Sequence, residues 1–146
     1  MTTTTKISGK IINYNETYSG EIIFDENIIN INNREETNFA NYIIPGFVDL
    51  HCHGGGGFDT MDGIEAIQKM SEYHLSKGTT SLLATTWTSS FEHTYTALKN
   101  FNSLIDMSSN LIGVHLEGPF INPEKLGAQP ALAIEPSIDF IEKINE

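Results

Sequence analysis

From residue 45 onward, apolar strand patterns alternate with helical patterns, and this alternation limits the possible folds more than any other feature. The predicted strands cover 47–53, 79–86 and 111–117, and the predicted helices cover 64–77, 91–105 and 137–146. A Ser89-x-x-Glu92 capping box predicts the start of the second helix. Strands separated by helices pair in parallel through right-handed crossovers. The pattern predicts an α/β fold, either half of a doubly wound sheet or the opening of a barrel.

The first 44 residues have a different character. Short strand patterns cover 6–12, 20–24 and 28–31, and the polar run 25–27 between the last two predicts a turn. Isoleucines alternate with polar residues, and no stripe of helical period is present. The sequence therefore predicts two parts, a small β unit over 1–44 and an α/β unit over 45–146.

Two histidines lie at the end of the first α/β strand. His51 and His53 are two residues apart, so on a strand both side chains point to one face and Cys52 points to the other. A chain with five histidines contains such a pair by chance roughly one time in six, so the spacing alone is weak evidence. Active sites of α/β proteins lie at the carboxyl ends of the strands. The pair is therefore a candidate for binding a metal ion.

The third α/β strand ends with Glu117. A carboxylate there lies at the same end of the sheet as the two histidines and is a suitable ligand for a divalent metal ion. A glutamate at the end of a strand also commonly points into solvent. His115 lies two residues before Glu117, so its side chain points to the same face of the strand, one step deeper in the sheet. Asp49 lies two residues before His51, and it is either a partner of the metal ligands or a hydrogen-bonding group of the core.

Charge and composition exclude several functions. Eight basic residues stand against 19 acidic ones, and a net charge of −11 opposes binding to nucleic acid or to an anionic membrane. No apolar run is long enough to span a membrane, and residues 1–10 lack the apolar segment of a secretory signal. The single cysteine, Cys52, forms no internal disulfide and agrees with a reducing compartment. We therefore expect a cytoplasmic protein.

Several segments carry a family resemblance. They read IPGFVDLHCHG over 44–54, GGGGFDTMD over 54–62, TTSLLATT over 79–86, GVHLEGPFINP over 113–123 and KLGAQP over 125–130. The first resembles the PGF-[IV]-D-x-H-x-H motif that opens barrels of the amidohydrolase superfamily. The others resemble the N-acetylglucosamine-6-phosphate deacetylases within that superfamily. The resemblance covers residues 45–130 and is weak over the first forty.

The resemblance implies a fold and a reaction. Strands of a small β-sandwich domain, 1–44, would precede the first three βα units of a (β/α)₈ TIM barrel, 45–146. The reaction would be metal-dependent hydrolysis of N-acetylglucosamine 6-phosphate to glucosamine 6-phosphate and acetate, in amino-sugar catabolism. The partner is thus a small amino-sugar phosphate, and the full-length family is expected to form homo-oligomers.

The resemblance also assigns roles to residues of the site. Glu117 corresponds to a ligand of a divalent ion, zinc or iron. His51 and His53 match the histidine pair of members that hold a second ion, so one or two ions are expected per site. Ala128 corresponds to a residue that contacts the sugar. Gln129 stands where some relatives carry histidine and is a second candidate for substrate binding.

The catalytic aspartate of the family and two more histidine ligands belong to later barrel strands, and no histidine follows His115 in this sequence. We therefore assign no catalytic residue to this chain and expect an incomplete, inactive fragment. One alternative is another amidohydrolase, many of which bridge their metals with a modified lysine. A third interpretation is a non-catalytic fragment that binds metal or a partner, because an incomplete barrel leaves an unpaired strand edge.

Overall fold

The computed structural model of the chain describes residues 3–35, 40–107 and 110–145. The chain divides into two compact units, one up to Pro45 and one from Gly46 onward. The assignment of 1–44 and 45–146 to two domains of a complete enzyme stays a prediction. Within the described residues, no helix is both long and apolar enough to cross a membrane.

The first unit is a four-stranded sheet of order β3-β2-β1-β4. Its strands are β1 (Thr5–Ile12), β2 (Thr17–Phe24), β3 (Ile28–Asn33) and β4 (Tyr42–Ile43). The first three pair antiparallel, and in the predicted turn between β2 and β3 Asp25 Oδ1 accepts the Asn27 N–H (3.0 Å). The two-residue β4, parallel to β1, is too short to have a sequence period and was not predicted.

The second unit is built on a three-stranded parallel sheet of order β5-β8-β9. Its strands are β5 (Phe47–Cys52), β8 (Thr79–Thr85) and β9 (Leu111–His115), with a small antiparallel hairpin of β6 (Gly54–Gly55) and β7 (Phe58–Asp59). Its helices are α1 (Ile64–Ser76), α2 (Phe91–Asn102) and α3 (Ile138–Ile144), and a 3₁₀ turn covers Pro123–Lys125. The predicted alternation of parallel strands and helices is confirmed.

The helix α2 begins one residue later than the capping box predicts. Ser90 has an extended backbone (φ −64°, ψ 160°), and its side chain accepts the His93 N–H at 3.3 Å. Glu92 is then the second residue of the helix and not the third, so the predicted box of Ser89 and Glu92 is wrong. Two adjacent serines offer the same cap chemistry, and the local sequence does not distinguish them.

The core of the second unit lies where the helices cover the sheet. Its buried side chains are Cys52, Ile67, Met70, Leu82, Ala84, Phe101, Leu104 and Leu111. Ile67 and Met70 lie on one face of α1 and are fully buried. Each such side chain contributes about 1.5–3 kcal/mol through its removal from water. This packing fixes α1 on the sheet, and the strand ends are held in place with it.

A buried polar cluster crosses the same core. The side chain of Asn110 donates hydrogen bonds to the carbonyl oxygens of Ser71 (3.2 Å) and Thr79 (3.1 Å), and its own oxygen accepts from the Ser71 hydroxyl. Asn110 and Ser71 are almost entirely shielded from water. Because an unpaired buried polar group is costly, Asn110 specifies how α1, β8 and the start of β9 fit together.

We expect the substitution Asn110→Ala to lower the free energy of unfolding by about 3 kcal/mol, because it removes the buried hydrogen bonds that Asn110 makes with Ser71 and Thr79. Denaturant titration followed by circular dichroism measures the change. The exposed Asn102 at the end of α2 is the matched control, and Asn102→Ala should stay within about 0.5 kcal/mol of the parent chain. A loss for Asn110→Ala as small as that of the control would contradict the role given to the cluster.

Strands β5 and β9 are the two edges of the parallel sheet, and each pairs only with β8 among the described residues. Large apolar side chains near these edges are exposed, including Val48, Leu50 and Ile112. Unpaired edges with apolar side chains promote pairing with other chains.

We therefore expect light scattering coupled to size-exclusion chromatography to show concentration-dependent self-association. The substitution Leu50→Lys should shift the chain toward monomer, and the control Ile138→Lys should not. A parent chain that is monomeric at every concentration would contradict this prediction.

Candidate metal centre

Three predicted ligands meet beyond the carboxyl ends of β5 and β9. His51 lies within β5, His53 follows one residue after it, and Glu117 follows two residues after β9. The Nε2 atoms of the two histidines are 3.1 Å apart, and Glu117 Oε2 lies 3.0 Å from His51 Nε2 and 2.8 Å from His53 Nε2. Parallel pairing of β5 and β9 with β8 accounts for the approach, because it brings all carboxyl ends to one edge.

The donor set fits a divalent cation. Glu117 Oε2 is buried, yet it accepts no hydrogen bond, so its short contacts with the two ring nitrogens lack hydrogen-bond geometry. Two ligands bound at about 2.1 Å lie about 3.0 Å apart in an octahedral site and about 3.4 Å apart in a tetrahedral one, and the spacing of these three atoms is near the octahedral value. Two imidazoles and one carboxylate are a common set for zinc and for iron. Among the described residues, these three side chains form a group able to hold an ion.

Gly118 explains how Glu117 reaches this position. The chain turns immediately after the glutamate, and Gly118 has a φ of +78°. A Cβ atom there would lie 2.1 Å from the hydroxyl oxygen of Thr88. Only glycine fits, both for its backbone conformation and for the close approach to the segment that follows β8.

Cys52 points away from the two histidines and into the core, as its parity predicts. Its thiol contacts the His74 ring nitrogen (3.2 Å) and the Gly54 carbonyl oxygen (3.3 Å), and its backbone N–H donates to Thr85 Oγ1 (2.8 Å). Burial raises the pKa of the Cys52 thiol. The neutral thiol is therefore a packing group, and His74 is a structural histidine held by the thiol and the Gly54 carbonyl (3.1 Å).

His115 and Asp49 lie deeper on the same side of the sheet. The ring of His115 is 4.8 Å from that of His51, centroid to centroid, one step below the ligands as predicted. Its Nδ1 atom is buried without a hydrogen-bond partner. Asp49 Oδ1 accepts the backbone N–H of His51 at 3.1 Å. This carboxylate therefore contacts the backbone of a candidate ligand and not its imidazole.

The two candidate sugar-contacting residues lie in the loop after Glu117. Ala128 lines an open depression together with Trp87 and His93. Gln129 is buried, and its Oε1 atom accepts the Thr88 N–H at 2.7 Å. This bond ties the loop to the end of β8 and leaves the side-chain Nε2 group for any substrate contact. The roles of Ala128 and Gln129 toward a sugar stay predictions.

Sequence reasoning missed one pair of residues behind the candidate site. Trp87 stacks on the ring of His53, and its indole N–H donates to Asp59 Oδ2 at 3.0 Å. The sequence predicts no contact between Trp87 and Asp59. The two residues are 28 positions apart, so no local period signals their contact.

Comparison with known proteins agrees with the geometry. The model of the amidohydrolase family matches residues 42–146. The chain is 42% identical over 104 residues to the N-acetylglucosamine-6-phosphate deacetylase of Bacillus subtilis, which covers 65% of this chain and 26% of that protein. It is 37% identical over 108 residues to the enzyme of the same name from Lysinibacillus sphaericus, covering 70% of this chain and 28% of that protein.

The solved structure of the N-acetylglucosamine-6-phosphate deacetylase of Thermotoga maritima superposes with a TM-score of 0.86 at 33% identity. The match covers 95% of this chain and 39% of that one, so the predicted fold, strands of a small β domain followed by the opening of a TIM barrel, is confirmed. The chain spans about a quarter of the length of the curated relatives it matches. Its motifs, its fold and the match to the family model lead to one conclusion: the chain belongs to the amidohydrolase family.

Proposed function

We propose that this chain carries the first part of the active site of an enzyme that deacetylates N-acetylglucosamine 6-phosphate. The products would be glucosamine 6-phosphate and acetate. The observation that supports the proposal most strongly is the approach of His51, His53 and Glu117 to within about 3 Å of one another at the strand ends. The similarity to relatives of that name favours this substrate.

In this proposal, His51, His53 and Glu117 hold a divalent ion, zinc or iron. When bound, such an ion polarises an amide carbonyl and makes water acidic enough to act as a nucleophile near neutral pH. Glu117 supplies the negative charge of the site, and the two imidazoles bind through Nε2 as neutral ligands. One ion uses these three residues, and a second requires ligands from other strands.

The loop after Glu117 would position the substrate. The methyl side chain of Ala128 is small enough for a sugar ring to lie against it beside Trp87. Gln129 anchors this loop to the segment after β8 through the Thr88 N–H. Its remaining Nε2 group is available to donate a hydrogen bond to a sugar oxygen.

Two further parts of the proposal concern the complete protein. We assign it to the cytoplasm, where a reducing environment suits a chain with one cysteine. We also expect it to assemble as a homo-oligomer, as the family resemblance implies. Sedimentation of the full-length protein would establish its subunit number.

The substitution Glu117→Gln tests the metal site. It keeps the size of the side chain and removes the negative charge. Substitution of a residue that only supports a ligand typically lowers metal affinity about 10–100-fold, and we expect Glu117→Gln to lower Zn²⁺ affinity by more than that. Competition with a chromophoric chelator measures the affinity for Zn²⁺ and for Fe²⁺.

The matched control is Glu124→Gln, an exposed carboxylate in the 3₁₀ turn of the same loop, which should bind metal as the parent chain does. A Glu117→Gln chain with full metal content would contradict the ligand role. It would favour another amidohydrolase type, in which a modified lysine replaces the glutamate.

The 146-residue chain should release no acetate from N-acetylglucosamine 6-phosphate, even with Zn²⁺ or Fe²⁺ added. Our reason is that its candidate site holds three ligands, and the family aspartate that moves the proton belongs to a later strand. A coupled acetate assay, with the Bacillus subtilis enzyme as the positive control, measures the rate. Acetate formed by the chain above the uncatalysed rate would contradict this expectation.

A further inference from the structure

We propose that Asp59 and Trp87 act as positioning residues that fix the imidazole of His53 and so direct its Nε2 atom toward the metal. The rings of His53 and Trp87 are stacked, with centroids 3.8 Å apart and planes 18° apart. The indole N–H donates to Asp59 Oδ2 at 3.0 Å. The inference rests on the proposed function only in naming a metal as what His53 binds.

The first step in the argument is that His53 lacks the usual support of a metal-binding histidine. Such a histidine almost always donates its other ring N–H to a carboxylate, a carbonyl or water, and that bond sets the orientation of the ring. In this chain His53 Nδ1 is buried from solvent and makes no hydrogen bond. Another contact must therefore set the ring orientation, and the stacked indole of Trp87 is that contact.

The second step is that Trp87 is itself held. The only donor of its side chain is the indole N–H, from which Asp59 accepts a hydrogen bond. The other carboxylate oxygen of Asp59 accepts the Met61 N–H at 2.8 Å. Each Asp59 oxygen thus has one assigned donor, and the carboxylate cannot rotate without breaking both bonds.

The third step is that the backbone of His53 is anchored by the same loop. Thr60 donates from its N–H (2.8 Å) and from its hydroxyl (2.9 Å) to the His53 carbonyl oxygen. The hairpin of β6 and β7 places Asp59 directly opposite Gly54, the residue after His53. The glycine-rich segment therefore folds back and holds both the backbone and the ring of one ligand.

His51 has other contacts: Asp49 accepts its backbone N–H and its ring lies 4.8 Å from that of His115, but among the described residues no hydrogen-bonded side chain stacks on it. Its side chain is 53% exposed, against 19% for His53, and its ring meets that of His53 edge to face. The two ligands therefore differ in support: the ring of His53 stacks on a hydrogen-bonded indole, whereas the ring of His51 is more exposed and has no such stacked partner.

Nuclear magnetic resonance tests the inference on the metal-free 146-residue chain. Trp87 is its single tryptophan, so one indole N–H signal reports the bond to Asp59. We expect the ring protons of His53 to lie upfield of their free-histidine positions, because they face the indole. Asp59→Ala should move both sets of signals toward their free values. The control Asp62→Ala removes a carboxylate from the same loop that does not bond to the indole, and it should leave both sets unchanged.

Cobalt binding then tests the consequence for the metal. We expect Asp59→Ala and Trp87→Ala each to weaken Co²⁺ affinity about tenfold, the lower end of the range for residues that support a ligand. Trp87→Phe keeps a ring against His53 but lacks the N–H that Asp59 accepts, so it should weaken binding about as much as Asp59→Ala does. The visible spectrum of bound Co²⁺ should change in the two alanine variants, while their circular dichroism stays that of the parent. If Trp87→Ala fails to fold, Asp59→Ala still decides the outcome.

Unchanged His53 signals in Asp59→Ala, or parental Co²⁺ affinity and spectrum in both alanine variants, would overturn the inference and leave the proposed function standing. A parent chain that binds no Co²⁺ would count against the proposed function instead. The His53 signals in the metal-free chain would still support or refute the positioning role in that case.

Discussion

The end of β5 divides its side chains between two environments, and both the core and the candidate metal centre depend on this division. Cys52 enters the core, where its backbone N–H bonds to Thr85 of the neighbouring strand. His51 and His53, on either side of it, turn to the opposite face and meet Glu117. A shift of the β5 register by one residue would exchange these roles. It would place two imidazoles in the apolar core and the thiol on the side of the candidate metal centre. The hydrogen bond from Cys52 to Thr85 and the burial of Cys52 both oppose that shift.

Much of this arrangement could be predicted because it follows from periodicity. Alternation along a strand predicts that His51 and His53 share a face, and parallel pairing brings Glu117 to the same edge. The contact between Asp59 and Trp87 could not be predicted in this way, because it joins a short hairpin to the segment after another strand. The same holds for the bond from Thr88 to Gln129. Such contacts depend on how loops fold back, and loops have no period.

Local chemistry was also ambiguous where neighbouring residues are alike. Ser89 and Ser90 both have the side chain of a helix cap, and backbone conformation selects Ser90. Asp49 was compatible with a contact to a ligand and with a core role, and its bond to the His51 backbone lies between these alternatives. In each case the residue type identified the kind of interaction. The partner was set by tertiary structure.

The hydrogen bond between Gln129 and Thr88, together with the tight turn at Gly118, has a consequence for the order of folding. Both contacts join the loop after Glu117 to the segment after β8, which comes earlier in the chain. Every residue that orients Glu117 in this way lies within about the first 130 positions. Among the described residues, the contacts that orient the three candidate ligands therefore wait for no residue beyond 130.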